Sequence, residues 1–383
     1  MTALRSTVAD VDLDAIAYNL RTVAAGRRAI AVVKADAYGH GAEAVSRALV
    51  EAGALMLAVF TIEEGVVLRR TGIDAPILVL GGLSDPSEAG PAVAERLSVA
   101  VWDEAAARVL GEAASAAGSR ARVHVKVDTG LTRLGAPLAD AARRCTAIRA
   151  LAGVEVEGLF THLANADVPG DHTAEEQIRR FEDVVASLRE PPELIHASNS
   201  AGMVLLGTAP PFNAVRPGIA LYGLHPAPHL ARIPLRPALR WSSRIQRIAS
   251  VPAATGVGYG HEYRTPRDGR IATVPVGYGD GLQRAARRGC VLVRGRRVPL
   301  SGRVAMDLIT LDVTDVPDAR EGDEVVLIGE QDGARLTAED LAEACRTNNY
   351  EIVTAIRRLV PRRYFRSGRL VATRTLADGL LWR

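Results

Sequence analysis

The sequence contains few lysines, few cysteines and no long apolar run. None of its 383 residues lies in a stretch approaching the 18 or more apolar residues of a transmembrane helix, and its first residues lead into charged sequence rather than a signal-peptide core. Its cysteines, Cys145, Cys290 and Cys345, are widely spaced, which suggests a reducing compartment and offers no metal-ligand spacing. The net charge of +3 is too small and dispersed to indicate nucleic-acid binding. We therefore expect a cytoplasmic enzyme with no membrane or nucleic-acid partner and no metal site.

The scarcity of lysine has a chemical implication. Of 47 Lys and Arg residues, only Lys34 and Lys126 are lysines. Genomic base composition explains a bias toward Arg, but it does not explain why two positions remained Lys. Arg effectively never loses its proton, whereas a Lys amine can lose one, attack a carbonyl or bind carbon dioxide. The two lysines are therefore candidates for chemistry that Arg cannot perform.

The chain has the composition and size of a globular protein with more than one domain. Its composition, with 48% hydrophobic and 24% charged residues, excludes a disordered chain, a collagen and a disulfide scaffold. At this length we expect a large first domain and a second one.

Short runs rich in β-branched residues recur through the first half, separated by stretches with helical spacing such as Ile16, Leu20 and Val23. Apolar strands alternating with helices indicate βαβ units and a parallel sheet. Eight strands suit a closed (β/α)8, TIM-like barrel better than an open doubly wound sheet, and no Gly-x-Gly-x-x-Gly motif follows the first strand. The predicted strands are 29–33, 55–59, 77–80, 97–101, 123–127, 154–160, 193–196 and 214–216.

Several ionisable residues follow these strands. The active sites of such barrels lie at the carboxyl ends of the strands. Lys34 follows the first predicted strand and Lys126 lies at the end of the fifth, while His162, His196 and Arg216 close the sixth, seventh and eighth. Both lysines therefore fall on the predicted active face.

From about Leu239 onward, short strands with Gly- and Pro-containing turns predict a mostly β domain. The fold class predicted for the whole chain is therefore α/β, with a barrel followed by this second domain. A hairpin is predicted at Gly295, and one helix is predicted to begin at an N-cap, Thr337, with Asp340 three residues later. We divide the chain into a barrel, 1–236, and a C-terminal β domain, 237–383. The strands predicted in the second domain are 240–251, 270–276, 290–294, 297–300, 308–313 and 324–328.

A series of short segments along the chain combines glycines with ionisable or polar residues. The segments are 31–41 (AVVKADAYGHG), 126–135 (KVDTGLTRLG), 161–162 (TH), 199–200 (NS), 215–223 (VRPGIALYG), 258–260 (GYG), 277–281 (GYGDG), 302–307 (GRVAMD) and 348–351 (NNYE). In this order, and over essentially the whole chain, they resemble the alanine racemase family of barrel-type (fold type III) pyridoxal-5′-phosphate (PLP) enzymes. Asp36 stands where Asn is frequent in the family.

The resemblance implies a cofactor site for PLP. Lys34 would carry the cofactor covalently. Arg216 would face the pyridine nitrogen, and because Arg has only donors, that nitrogen would stay unprotonated and the ring would be a weaker electron sink. The phosphate would be bound by the hydroxyls of Tyr38, Ser200 and Tyr350 and by the backbone amides of Gly218 and Ile219.

The resemblance also implies two proton-transfer groups and a homodimer with shared active sites. Lys34 would serve one face of the reacting carbon, and Tyr259 from the second subunit would serve the other. Tyr259 would be hydrogen-bonded to His162, which Arg216 contacts. The C-terminal domain would thus contribute to the partner's active site.

The remaining family positions bind substrate or support the site. Arg133 would bind the phenolate oxygen of the cofactor and help hold the substrate carboxylate, which the backbone amide of Met306 would also bind. Lys126 corresponds to a lysine that is carbamylated in many members, where the added negative charge holds Arg133. The supporting positions are Asn199, Tyr278 and Asp307.

The function predicted is interconversion of L-alanine and D-alanine, supplying D-alanine for peptidoglycan. A broad-specificity or serine racemase remains open. A PLP-dependent amino-acid decarboxylase of the same fold type would need a Gly-rich phosphate loop and a catalytic cysteine in the second domain, and neither Cys290 nor Cys345 has such a setting. Non-catalytic PLP carrier proteins resemble the barrel alone, so the β domain argues against that alternative.

Overall fold

A computed structural model describes residues 5–206, 212–230 and 233–383. The helices are α1 Leu13–Ala24, α2 Lys34–Tyr38, α3 Ala42–Glu51, α4 Ile62–Arg70, α5 Ala89–Ala94, α6 Glu104–Ala116, α7 Ala141–Arg149, α8 Thr173–Ala186, α9 Ser200–Leu205, α10 Ala338–Cys345 and α11 Asn349–Ala355. The strands are β1 Val8–Asp12, β2 Arg28–Val32, β3 Met56–Val59, β4 Ile77–Val79, β5 Ser98–Val101, β6 Ala121–Asp128, β7 Ala136–Pro137, β8 Val154–Phe160, β9 Leu194–His196, β10 Ala214–Val215, β11 Leu239–Arg244, β12 Arg247–Val251, β13 Gly256–Val257, β14 Tyr263–Arg264, β15 Gly269–Val274, β16 Cys290–Val293, β17 Arg296–Pro299, β18 Ile309–Asp312, β19 Glu324–Gln331, β20 Ala334–Leu336, β21 Arg362–Arg366, β22 Arg369–Thr375 and β23 Gly379–Trp382.

The first compact unit, Ala15–Ala37 with Val45–Arg236, is a closed parallel barrel. Its strands follow the order β5-β4-β3-β2-β10-β9-β8-β6, and β6 pairs with β5 to close the sheet. Residues in β3, β4 and β5 are buried throughout, because helices cover the outer face of a closed parallel sheet. Helix α6 illustrates this cover: it buries Ala107, Leu110, Gly111 and Ala114, which share one helical face. The predicted (β/α)8 barrel is confirmed.

The second compact unit is mostly β. It comprises the residues up to Asp14, Tyr38–Ala44 and Pro237–Arg383. Its main sheet has the order β17-β16-β19-β11-β1-β21-β22-β23, with β20 on β19, and a separate sheet contains β12, β15 and β18. The predicted β character of this half is confirmed.

The structural division differs from the predicted one at the N-terminus. The sequence-based boundary assigned all of 1–236 to the barrel, but β1 pairs antiparallel with β11 and parallel with β21 inside the β unit. Strand pairing distant in sequence decides this assignment, and the apolar pattern of β1 alone carries no information about its partner.

A buried cation fixes the Tyr38–Ala44 segment within the β unit. The Arg362 side chain is fully buried, and its Nε and Nη2 donate to the carbonyl oxygen of Gly39 at 3.1 and 2.8 Å. Gly39 itself has φ +80°, and an added Cβ would lie 2.1 Å from the carbonyl oxygen of Val353. This segment therefore requires both a glycine and a buried arginine.

Local predictions in the β unit are confirmed where a short motif determines the structure. Gly295, at φ +71°, joins β16 and β17 in the predicted hairpin, and Thr337 and Asp340 form a capping box at the start of α10. The single strand predicted over 240–251 was wrong: β11 ends at Arg244 and β12 begins at Arg247, and the two belong to different sheets. In the ranges that the structure describes, no helix is both long and apolar enough to cross a bilayer.

Candidate active site

Lys34 directly follows β2, at the carboxyl end of the first barrel strand. Its Nζ lies 5.7 Å from the centre of the Phe60 ring. Burial lowers the pKa of Lys34, the positive charge of Arg133 lowers it further, and the Glu64 carboxylate acts in the opposite direction. A lowered pKa increases the fraction of neutral amine, the form that attacks a carbonyl.

The Glu64 carboxylate connects helix α4 to the backbone beside Lys34. Oε1 accepts from the amide of Ala35 at 2.6 Å, and Oε2 accepts from the amides of Phe60 at 2.7 Å and Thr61 at 3.1 Å. The Thr61 hydroxyl accepts in return from the amide of Glu64, which completes a capping box. The motif that begins α4 therefore also binds the first amide after Lys34.

The segment α2, which begins at Lys34, is a left-handed turn rather than a regular α-helix. Residues 35–38 have φ values of 52, 56, 53 and 52° in sequence order. Each L-residue in this region costs roughly 1–2 kcal/mol, so four in succession are strained. The amide of Ala37 donates to the carbonyl oxygen of Val33 at 2.9 Å, which supports the turn. Strain of this kind concentrates at functional sites.

Lys126 lies in β6, with its Nζ 5.7 Å from the centre of the Phe160 ring. The pKa of Lys126 is lowered to about 8, first by burial and then by the charges of Arg133, Arg216 and Lys34, while the Asp128 carboxylate acts in the opposite direction. Lys126 therefore lies within the electrostatic influence of Lys34, Arg133 and Arg216, as expected of side chains on one face of the barrel.

The loop before Arg133 is organised by one carboxylate. Oδ1 of Asp128, the last residue of β6, accepts from the amides of Gly130, Leu131 and Thr132, each at 3.0 Å. Three amides converging on one oxygen fix the loop, and Arg133 follows it with an exposed side chain.

Arg216 follows β10 and is 2% exposed. Its Nη1 donates to Nδ1 of His196 at 2.6 Å and to the His196 carbonyl oxygen at 2.9 Å. Its Nη2 donates to the carbonyl oxygens of Thr161 at 2.6 Å and Ala197 at 3.0 Å, and approaches Nδ1 of His162 to 3.4 Å. In the described ranges, Nε has no hydrogen-bond partner, so one donor of the guanidinium is still available. Burial lowers the pKa of Arg216 to about 9, which leaves it protonated at neutral pH.

His162 follows β8 and is held neutral by its surroundings. Burial lowers its pKa well below the usual value, and the charges of Arg216 and Arg133 add to the effect. Because Arg216 can only donate, Nδ1 of this neutral ring is the acceptor and Nε2 carries the proton. The His162 carbonyl oxygen accepts from Nε2 of Gln177, which is fully buried and also binds Thr129.

A third group of predicted residues meets around the Ser200 hydroxyl. Its Oγ accepts from the amides of Gly218 at 2.9 Å and Ala220 at 3.3 Å. The Gly218 amide, predicted to bind the phosphate, is thus hydrogen-bonded within the barrel, whereas the Ile219 amide has no partner in the described part of the chain. Asn199 caps α9 by accepting from the amide of Gly202 at 2.8 Å, so its role is to begin that helix.

In the β unit, the structure brings Tyr38 and Tyr350 together. Their ring centres are 6.2 Å apart, and burial raises the pKa of Tyr38 to about 12. The Tyr38 phenol is therefore neutral at physiological pH.

Tyr259 and Met306 are exposed, with 71% and 55% of their surface accessible. The Met306 loop is held by the 277–281 segment: the amide of Tyr278 donates to the Ala305 carbonyl oxygen at 3.0 Å. Gly277 has no room for a side chain, since an added Cβ would lie 2.3 Å from the Met306 carbonyl oxygen. Tyr278 therefore supports this loop through its backbone.

Comparison with known proteins identifies the family. Residues 11–226 match the alanine racemase N-terminal domain, and residues 238–364 match the alanine racemase C-terminal domain. The alanine racemase of Symbiobacterium thermophilum is 46% identical over 369 residues, covering 94% of this chain and 97% of the relative. The chain belongs to the alanine racemase family. It is accordingly an amino-acid racemase, an isomerase.

Solved alanine racemases share the fold. The alanine racemase from Bacillus anthracis with bound L-Ala-P superposes with a TM-score of 0.91 at 34% identity, covering 98% of this chain and 99% of that chain. The Streptomyces coelicolor alanine racemase gives a TM-score of 0.88 at 38% identity, covering 95% of this chain and 99% of that one. The resemblance seen in the sequence motifs is therefore confirmed at the level of family and fold.

Several residues around this alanine racemase site were not predicted. Glu64 could have been found, because Thr61 to Glu64 has capping-box spacing. Gln177 could not, because a glutamine in the middle of α8 resembles any surface helix residue. The cysteines Cys290 and Cys345 have pKa values raised by burial, so neither has the activated thiol that the decarboxylase alternative required.

Proposed function

We propose that this protein interconverts L-alanine and D-alanine with PLP as its cofactor, by a two-base mechanism that uses Lys34 and Tyr259. The observation that carries the proposal is the convergence of the charges of Lys34, Arg133 and Arg216 on Lys126 in the barrel of a chain 46% identical to an alanine racemase. We further propose that the reaction takes place in the cytoplasm and supplies D-alanine for peptidoglycan. The free cysteines are typical of a reducing compartment.

The charges of the barrel site fit an anionic cofactor. Three cations, Arg133, Arg216 and Lys34, act on Lys126 there, and Arg133 also acts on Lys34. The carboxylates that act in the opposite direction are Asp128 on Lys126 and Glu64 on Lys34. PLP carries a phosphate and a phenolate, which this surplus of positive charge would bind. We propose that the phosphate is bound by five groups: the hydroxyls of Tyr38, Ser200 and Tyr350 and the backbone amides of Gly218 and Ile219.

The hydrogen bonds of Ser200 support this assignment. Its Oγ accepts two backbone amides, which leaves the hydroxyl proton free to be donated. The Ile219 amide adds a second donor. The amide of Gly218 would contribute either directly or by holding the Ser200 oxygen in place.

Arg216 would contact the pyridine nitrogen through Nε, the donor that the barrel leaves unused. When bound, PLP withdraws electrons from the α-carbon of an attached amino acid, so that the α-proton can be removed. Because Arg216 donates and does not release a proton at neutral pH, it keeps the pyridine nitrogen an acceptor. This limits electron withdrawal and favours return of the proton over transamination.

Two groups would move the α-proton. Nζ of Lys34, whose pKa is lowered by burial and by Arg133, would exchange a proton on one face. Oη of Tyr259 would serve the other face from the second subunit of a homodimer, consistent with its 71% exposure in a single chain. His162 Nε2, which carries a proton because Nδ1 accepts from Arg216, would donate to that phenol oxygen.

Arg133 and Met306 would hold the substrate carboxylate. Arg133 is exposed after the loop that Asp128 organises, and it would also contact the phenolate oxygen of PLP. The Met306 amide would be contributed by the partner, with Tyr278 supporting its loop and Asp307 next to it. We propose in addition that Lys126 is carbamylated, so that its negative charge holds Arg133.

Replacing Lys34 by Ala tests the cofactor assignment. The purified protein should be yellow, and Lys34→Ala should lose that absorbance, whereas Tyr259→Phe should keep it. Retention of the colour in Lys34→Ala would show that another group binds the cofactor. Tyr259→Phe should also reduce deuterium exchange unequally in the two directions; equal loss would indicate a positioning role.

The substrate is tested by circular dichroism with L-alanine, L-serine and L-lysine. Racemisation confined to alanine supports the proposed function. Comparable rates with serine would indicate the broad-specificity alternative, and release of carbon dioxide from L-lysine without a D-isomer would indicate a decarboxylase.

A further inference from the structure

A continuous string of hydrogen bonds crosses the barrel core behind Arg216. Nη1 of Arg216 is 2.6 Å from Nδ1 of His196, and Nε2 of His196 is 2.9 Å from Nδ1 of His124. Nε2 of His124 is 3.2 Å from Oε2 of Glu157, which also accepts from the Ser98 hydroxyl at 2.6 Å. The two imidazoles are fully buried, and the Glu157 side chain is 18% exposed.

We propose that Glu157 is a positioning residue for Arg216, acting through the hydrogen-bond polarity of His124 and His196. The importance of Arg216 for the reaction rests on the proposed function above. The polarity of the string does not, because it follows from the side chains themselves.

The direction of every hydrogen bond in the string is determined by its two ends. Arg216 has no acceptor, so Nδ1 of His196 must accept and its proton must be on Nε2. That proton is donated to Nδ1 of His124, whose own proton is then on Nε2 and is donated to the Glu157 carboxylate. A carboxylate has only acceptors, so both ends demand the same pattern.

The electrostatic surroundings agree with two neutral rings between two charges. Burial lowers the pKa of both histidines, and the Arg216 charge contributes for each. Burial of Glu157 raises its pKa, but hydrogen bonds from His124 and Ser98 outweigh this effect, and its pKa is lowered overall. Each ring then turns its lone pair toward the cation and its N–H toward the anion, an arrangement that stabilises both ends.

The backbone makes room for the string. Gly158 lies opposite His124 in the pairing of β6 with β8, and an added Cβ would be 2.2 Å from Nδ1 of His124. The register shifts between Val123 and His124, so the strands bulge at this point. The His196 ring stacks on Phe160, with centres 5.0 Å apart and planes at 7°. A bulge beside an active site changes the direction of a side chain, and a glycine in a strand leaves space for it, here for His124.

Barrel interiors of this type are filled mainly by bulky apolar side chains. Two buried histidines there therefore lower the free energy of unfolding unless their polar atoms are fully hydrogen-bonded. A structural role would require only that their hydrogen bonds be satisfied. A positioning role additionally requires that the charge of Glu157 affect the electronic state of the His196 ring, although Glu157 does not contact His196. That difference is measurable.

The experiment compares the holoenzyme with Glu157→Gln and a matched control, Glu155→Gln, by ¹⁵N NMR of histidine-labelled protein. Gln can still accept from His124 and Ser98 but carries no charge. Glu155 lies two residues earlier in β8 and is exposed, so its replacement is the same chemical change outside the string. Single His→Gln replacements assign the resonances of His124 and His196.

In the wild type we expect both rings to carry their proton on Nε2 and to have an unprotonated Nδ1. In Glu157→Gln the Nε2–H resonance of His196 should shift together with that of His124. The value of kcat should fall about tenfold, while the KM for alanine should change little. A decrease of this size is expected when a group that supports a catalytic residue is removed. Glu155→Gln should change neither the resonances nor kcat.

A protonated Nδ1 on either ring in the wild type would overturn the proposal, whether or not the variant folds. So would a shift confined to His124, or an unchanged kcat in Glu157→Gln. A holoenzyme with the expected resonances and no alanine racemisation would instead overturn the proposed function, while the comparison of His196 between the two variants would still decide the role of Glu157.

Discussion

Carbamylation of Lys126 can be tested through pH and carbon dioxide. Its pKa of about 8 is lowered from 10.5, first by burial and then by neighbouring positive charges, Arg133 foremost. At pH 8 about half of such an amine is neutral, compared with about 0.3% of an ordinary lysine, a difference of about 150-fold. Carbon dioxide reacts with the neutral amine, forming an N–C bond and releasing one proton. Lys126 should therefore be far more susceptible than an ordinary lysine.

The product should also be stabilised where it forms. The carbamate is an anion, so repulsion of Lys126 by Arg133, Arg216 and Lys34 becomes attraction. Acidification acts in the opposite direction, because at pH 6.5 only about 3% of an amine with a pKa of 8 is neutral. The modification should thus be favoured at pH 8 and should decline as the pH falls through 7.

The assay is ¹³C NMR of the protein in ¹³C-bicarbonate at pH 8. We expect a carbamate resonance that is absent in Lys126→Arg, which keeps the positive charge but has no reactive amine. Any resonance shared by both proteins belongs to another amine, either the α-amine, which also titrates near pH 8, or Lys34. The reasoning is refuted if the two spectra are identical, or if the Lys126 signal grows as the pH is lowered to 6.5.

Three further predictions concern the shared site and the fold. Mixing Lys34→Ala with Tyr259→Phe should restore about a quarter of the wild-type activity, because half of randomly mixed dimers carry one complete site of two; no recovery after subunit exchange would mean that each site comes from one chain. Thr337→Ala should lower the free energy of unfolding in urea by about 1 kcal/mol, with Thr337→Ser close to wild type, since the capping hydroxyl is what is lost; equal stabilities would contradict this. Gly39→Ala should be more destabilising than Gly72→Ala by about 1–3 kcal/mol, because the two glycines have φ of +80 and +83° but only Gly39 has a backbone oxygen 2.1 Å from the added Cβ; similar losses would show that strain in φ alone dominates.

The sequence by itself predicted the features that depend on local pattern. Apolar runs alternating with helical spacing gave the barrel, and the hairpin at Gly295 and the cap at Thr337 depend on a few adjacent residues. The carboxyl-end rule then put Lys34, Lys126 and Arg216 on one face, and in the structure the charges of Lys34 and Arg216 both act on Lys126. The family was recognisable because its segments recur in order along the chain.

Only the tertiary structure decided what depends on distant partners. Nothing in the apolar pattern of β1 indicates that it joins β11 and β21 rather than the barrel. The pKa of Lys126 near 8 arises from burial and from charges brought in by other strands. His196 was visible at a strand end, but its link to Glu157 through His124 needed the register of β6 on β8 and the space left by Gly158. Hydrogen bonds and electrostatic interactions depend on distances of a few ångströms in space. The separation of two residues in the sequence predicts such a distance only when both residues lie in the same helix or strand.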